Sequence, residues 1–224
     1  MTAMNGRATH ALWWTVLAAL VGFLSSFVLS TLLHWSRGPF LTAYAIVTAA
    51  FFVAYVVSQR LDVRTQFCRR WTVGVLGGVI FGILLARQVF MQPASGRAEG
   101  LSLVGELAWY GVFYGVVDAL LLSVIPVLSL YGMRPASELR HAAGRLRWAA
   151  VALLGSALVS AAYHAGFAEF RGPRMVQPII GNVLVSLAYL LTGNPLAAVI
   201  SHVLMHVAAV IRGMATTMQL PPHY

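Results

Sequence analysis

Charge is what this sequence has least of. Only 9% of its 224 residues are charged, while 59% are hydrophobic; a soluble domain carries roughly a quarter charged residues. Six acids and 15 bases are too few to cover a water-soluble globule of this length. Lysine is absent altogether, so every base is an arginine. Cysteine occurs once, at Cys68, which excludes any disulfide within the chain. The same composition excludes an intrinsically disordered chain, a collagen and a coiled coil. With a mean hydropathy of +0.79, what remains is an all-α, polytopic membrane helix bundle.

The net charge of +9 would suit nucleic-acid binding only if the bases formed one face with aromatic or polar readers. Here the arginines are spread through short connections between apolar runs, which is how topology is signalled in membrane proteins. The expected partner is therefore the lipid bilayer, with no nucleic acid.

A hydrocarbon core of about 30 Å needs roughly 20 apolar residues in a helix. Seven segments qualify: Ala11–Leu33, Phe40–Val57, Trp71–Val89, Leu101–Tyr131, Trp148–Phe167, Met175–Leu191 and Pro195–Ile211. They make a single transmembrane domain over residues 1–224, with scaffold helices in 1–100 and the polar-site helices in 101–213. Gly74, Gly77, Gly78 and Gly82 suit close helix packing in lipid. Nine arginines fall on the side of the N-terminus (Arg7, Arg60, Arg64, Arg69, Arg70, Arg134, Arg140, Arg145, Arg147) and six on the other. That bias predicts a plasma-membrane protein with a cytoplasmic N-terminus and an exterior C-terminus. Met133–Arg147 reads as an amphipathic surface helix, and the tail with Met214, Met218 and Pro221-Pro222 as a frayed end.

Ionisable groups at membrane depth are costly unless paired or hydrated, so each marks a candidate site. Five stand out, all in the polar-site helices of 101–213: Glu106 and Asp118 on the fourth span, His164 on the fifth, and His202 with His206 on the seventh. His202 and His206 share a helix face about one turn apart and can chelate a metal or address one substrate atom together. Glu106, Tyr110, Tyr114 and Asp118 form a drifting stripe, with the two acids about 18 Å apart along the axis. That separation excludes a paired-carboxylate centre, so only one acid works with the histidines. In purely structural terms, Glu106 is an interfacial acid near a helix start. Asp118 is then a buried acid bonded to Ser123 or to a tyrosine.

The stretch from Ile180 through Thr192-Gly193 to His202-Val-Leu-Met-His206 resembles the last motif of the CPBP family, the CAAX-protease and bacteriocin-processing intramembrane proteins. The family's HxxxN is HxxxH here. Leu154–His164 resembles the family's FxxxH helix, with Ser160 in the aromatic position. The EExxxR motif finds one placement at Gly105-Glu106 through Gly111 and a rival at Asp118 through Ser123. The resemblance covers roughly the C-terminal half and implies an intramembrane peptidase acting on a hydrophobic or lipidated peptide, or an inactive peptide-binding relative. It implies that Glu106 or Asp118, with His164, activates water, and that His202 and His206 stabilise the oxyanion. Two alternatives compete: a zinc-like metal site of His164, His202, His206 and Asp118 or Glu106, and a proton-coupled transporter lined by the same groups.

Overall fold

A computed structural model describes residues 2–135 and 137–223. Among them every regular element is helical and no strand occurs. Runs of Leu, Ala and Val leave no water for the backbone to bond, so each run satisfies its own amides as a helix. Six helices are long and apolar enough to cross a bilayer: His10–Leu32, Arg37–Gln59, Trp71–Phe90, Gly100–Gly132, Ala142–Ala165 and Pro173–Thr192. A seventh, Leu196–Arg212, has 17 residues, the short end of what spans a hydrocarbon core. The protein is a multi-pass, all-α membrane helix bundle. Each of the seven apolar segments coincides with one helix.

Met133–Arg147 is not the surface helix expected from its charges. A single 3-10 turn, Glu138–Arg140, precedes an extended His141, and the fifth span begins at Ala142. Pro135 holds the residue before it out of helical geometry. Arg145 and Arg147 belong to the first turns of the span, where Arg147 pairs with Glu138 at 2.7 Å. The Ala136 part of the segment lies outside the described residues.

The fourth span is the hub: 72% of its most apolar window is buried within the protein, against 28% for the first, third and fifth spans. The outer spans turn Leu12, Ile46, Leu76 and Ile83 towards lipid. The last helix lies against the hub and the third span because glycines let it come close. A Cβ on Gly115 would stand 2.7 Å from the Cα of Val203, and one on Gly82 would stand 2.5 Å from Leu204 Cδ1. Asn194 fixes where the last helix begins. Its Oδ1 accepts from the Leu196 amide at 2.8 Å, and its Nδ2 donates to the carbonyls of Phe67 and Arg69.

Two features depart from the scaffold-and-frayed-tail expectation. Tyr44 of the second span is fully buried in the core, and Leu85 of the third is nearly so. The tail after Arg212 folds back on the bundle, with Thr217 and Leu220 fully buried. Arg37 donates to the Leu220 carbonyl at 2.7 Å and to that of Met214 at 2.9 Å. Those main-chain bonds hold in place a segment whose composition alone reads as loose.

Candidate functional site

The residues between Gly100 and Gly132 do not follow one helical period. Leu107–Phe113 and Ala119–Val124 are π-helical, and the short α-helical piece Tyr114–Asp118 lies between them. Each wider turn changes the angular phase of the residues beyond it, and such turns recur at functional sites. The result turns Asp118 inward, towards the last helix, whose close approach over Gly115 brings His202 and His206 opposite it.

Asp118, His202 and His206 are all at least nine-tenths buried. One ligand atom from each lies within 4.8 Å of the others. Asp118 Oδ2 is 3.3 Å from His206 Nε2, and the two imidazole rings are 5.7 Å apart. Three buried atoms here have no hydrogen-bond partner: Asp118 Oδ1, His202 Nδ1 and His206 Nδ1. Buried polar atoms are almost always satisfied, so three at one spot suggest groups arranged for something else. Two imidazoles and one carboxylate are also a donor set that zinc takes in hydrolases, which keep a fourth position open. The residues fit such an ion.

The open side exists. A cavity of about 680 Å³ is lined by Asp118, His202 and His206 together with Ser160 and His164. Leu85, Leu122, Ile180, Leu184 and Met205 supply apolar wall. His164 faces this cavity but does not belong to the three-ligand group. Its Nδ1 meets the Ser160 carbonyl at 2.8 Å. A carbonyl only accepts, so Nδ1 carries a proton, and in the neutral imidazole Nε2 keeps the lone pair. Of the four-ligand set expected from the sequence, Asp118, His202 and His206 converge, and His164 lines the same cavity.

Glu106 does not line the cavity. It is half-buried with one unpartnered oxygen, within electrostatic reach of Arg37. Ser123 is not Asp118's partner either: its hydroxyl donates to Asn182 Oδ1 at 2.8 Å. Of the two acids on the fourth span, Asp118 is the one beside the histidines.

Sequence reasoning placed Tyr114 on a stripe with Asp118 but missed Tyr44, the third member of the aromatic floor of the site. Tyr114 packs its ring 4.9 Å from that of His206, and its hydroxyl lies 2.5 Å from the Tyr163 hydroxyl. Tyr44, from the second span, stacks on Tyr163 at 5.2 Å, and its hydroxyl faces Asp118 and Thr48 without reaching good hydrogen-bond geometry. The available signal was Phe40, Tyr44 and Thr48 at four-residue spacing, a semi-polar stripe in an otherwise apolar span.

Comparison with protein-family models, with curated proteins and with solved structures finds no match for this chain.

Proposed function

We propose that this protein is an intramembrane hydrolase of the peptidase type, a divergent relative of the CPBP proteins. In this reading Asp118, His202 and His206 hold a divalent metal ion, zinc by the character of the donors. The convergence of three buried, incompletely partnered ligands on a cavity wall within the bilayer carries the reading. A bound zinc ion supplies a Lewis acid and lowers the pKa of water to near neutrality. The chain's own groups do the rest. His164 offers Nε2 as proton acceptor, in a tautomer fixed by the Ser160 carbonyl. The tyrosine floor keeps bulk water from the buried face of the ligands. Leu85, Leu122, Ile180 and Leu184 receive the apolar side chain or lipid group of a hydrophobic or lipidated peptide.

The HxxxH and Ser160–His164 segments support the peptidase half of this proposal, with Asp118 in the place of the motif acid. The arginine bias supports a cytoplasmic N-terminus and an exterior C-terminus in the plasma membrane.

The test is elemental analysis of the purified protein beside turnover of a quenched fluorescent lipopeptide. About one zinc per chain is expected in the wild type, and none in folded Asp118→Asn or His202→Ala. Turnover falls on chelation, returns with zinc, and survives in Glu106→Gln. A wild-type protein that takes up no divalent metal after loading overturns the metal assignment; loss of turnover in Glu106→Gln alone moves the base to that acid.

A further inference from the structure

The tail does more than close the fold. Met218, Gln219 and Pro221 form part of the wall of the cavity that holds Asp118, His202 and His206. The segment is held there mainly through groups that any polypeptide possesses. Arg37 donates to the Met214 and Leu220 carbonyls. The Gln92 side chain accepts the Met218 amide proton at 2.9 Å and donates to the Gln219 side-chain oxygen at 3.0 Å. Ser95 Oγ accepts from the Ala215 amide at 3.3 Å. From Gly213 to Pro222 the segment has no charged residue, which suits a track beside an apolar cavity.

We propose that Arg37, Gln92 and Ser95 form a peptide-binding track along the cavity, occupied in cis by residues 213–223, and that an uncharged peptide substrate binds by displacing this segment. The proposal rests on the hydrolase reading and specifies its substrate: a polypeptide segment gripped by its main chain, with its side chains directed to the metal-ligand cavity. An occupant tethered in cis competes at high effective concentration, so the track is closed to weak ligands until the tail is displaced. Main-chain recognition tolerates varied side chains, and selection is left to the apolar cavity wall.

The test separates occupant from track. Leu220 is fully buried, so Leu220→Asp expels the tail while leaving Arg37, Gln92 and Ser95 in place. A fluorescein-labelled peptide of residues 213–223 is titrated against the full-length protein in lipid nanodiscs. Leu220→Asp is expected to bind it at least about tenfold more tightly than wild type. Adding Arg37→Gln to Leu220→Asp is expected to remove about tenfold of that affinity, because hydrogen bonds to a charged donor are the strong ones. Equal binding by wild type and Leu220→Asp, or no loss with Arg37→Gln, overturns the proposal. If Leu220→Asp does not fold, Met218→Asp makes the same comparison. Metal content is measured on the same samples. Zinc without peptide binding refutes the track alone, and peptide binding without zinc refutes the metal-dependent reading alone.

Discussion

Two polar clusters lie buried in the same bundle and are built on opposite rules. In the first, Ser123, Ser156, Asn182 and Ser186 tie the fourth, fifth and sixth spans together. Asn182 accepts from Ser123 and donates to the Leu122 and Ser156 carbonyls and to Ser156 Oγ. Ser156 also bonds to Leu122 O and Ser186 Oγ. In the second, Asp118, His202 and His206 share one 3.3 Å contact and leave three atoms without partners. The fold evidently can satisfy buried polar groups, because it does so beside Leu122, a residue that also lines the cavity. Unsatisfied polarity is costly at this depth. The first cluster is therefore a structural clasp, and the second carries a thermodynamic cost that a bound ligand would offset under the proposed function.

Breaking the clasp should produce the largest loss of stability. Asn182→Leu deletes every bond made by the amide and strands the Ser123 hydroxyl. A loss of about 2–3 kcal/mol is expected, summing modest interhelical bonds, read as a lower midpoint in detergent-mediated unfolding. Zinc content of the fraction that remains folded should not change. Asp118→Asn should do the reverse, losing the metal while keeping or raising the midpoint when both proteins are compared metal-free. If Asn182→Leu costs no stability, or strips the metal from protein that is still folded, the two clusters do not divide in this way.

A smaller effect is expected where the two helices of the second cluster touch. Gly115→Ala places a Cβ 2.7 Å from Val203 Cα and 3.2 Å from the His202 carbonyl carbon. Both are backbone atoms, so the last helix must move away from Asp118. Overpacking of this kind costs about 1–3 kcal/mol, and zinc affinity should fall with it in a calorimetric titration. Gly132→Ala is the control, because its Cβ would meet nothing within 4 Å. Equal zinc affinity in the two variants would show that the site does not depend on this approach.

The parts legible in the sequence are those that obey one period. Hydropathy locates seven helices, and the four-residue spacing of His202 and His206 places both rings on one face, where they are found. The choice between Glu106 and Asp118 is illegible, because the π-helical turns on either side of Tyr114–Asp118 alter the phase that a regular helix would impose. Asn182 gives no sign that it takes Ser123 away from Asp118, since that depends on which spans become neighbours. Tyr44 is hidden in a span that looks like lipid-facing scaffold. The tail reads as frayed from composition, and only the long-range bonds from Arg37 and Gln92 show otherwise. Local pattern identifies which residues are out of place in a membrane; tertiary contact determines which of them meet.

The smallest expected effect lies at the tail track, which stands between the two clusters in being satisfied yet displaceable. His223 Nδ1 is 3.5 Å from Arg37 Nη2, and a guanidinium only donates, so the imidazole must be neutral to accept. Burial, reinforced by Arg37 and Arg174, pushes His223 down to about 4 from 6.5. A released tail therefore takes up a proton as pH falls through about 6.5, whereas the seated tail resists until about pH 4. By linkage, seating is fully favoured above that window and weakens as pH falls through it. Glu169, which also faces His223, acts in the opposite sense, because burial raises its pKa and acid favours its seated form. The His223 contribution is isolated by comparison with His223→Gln, in which Glu169 still titrates. With Met218→Cys in a Cys68→Ser background, the maleimide labelling rate, divided by that of a free thiol at the same pH because only the thiolate reacts, should rise about three- to tenfold between pH 7 and pH 4.5, a range discounted for partial solvent screening. The rise should be lost in His223→Gln. A pH-independent normalised rate in the parent variant would mean that the Arg37–His223 contact does not govern how firmly the tail is held.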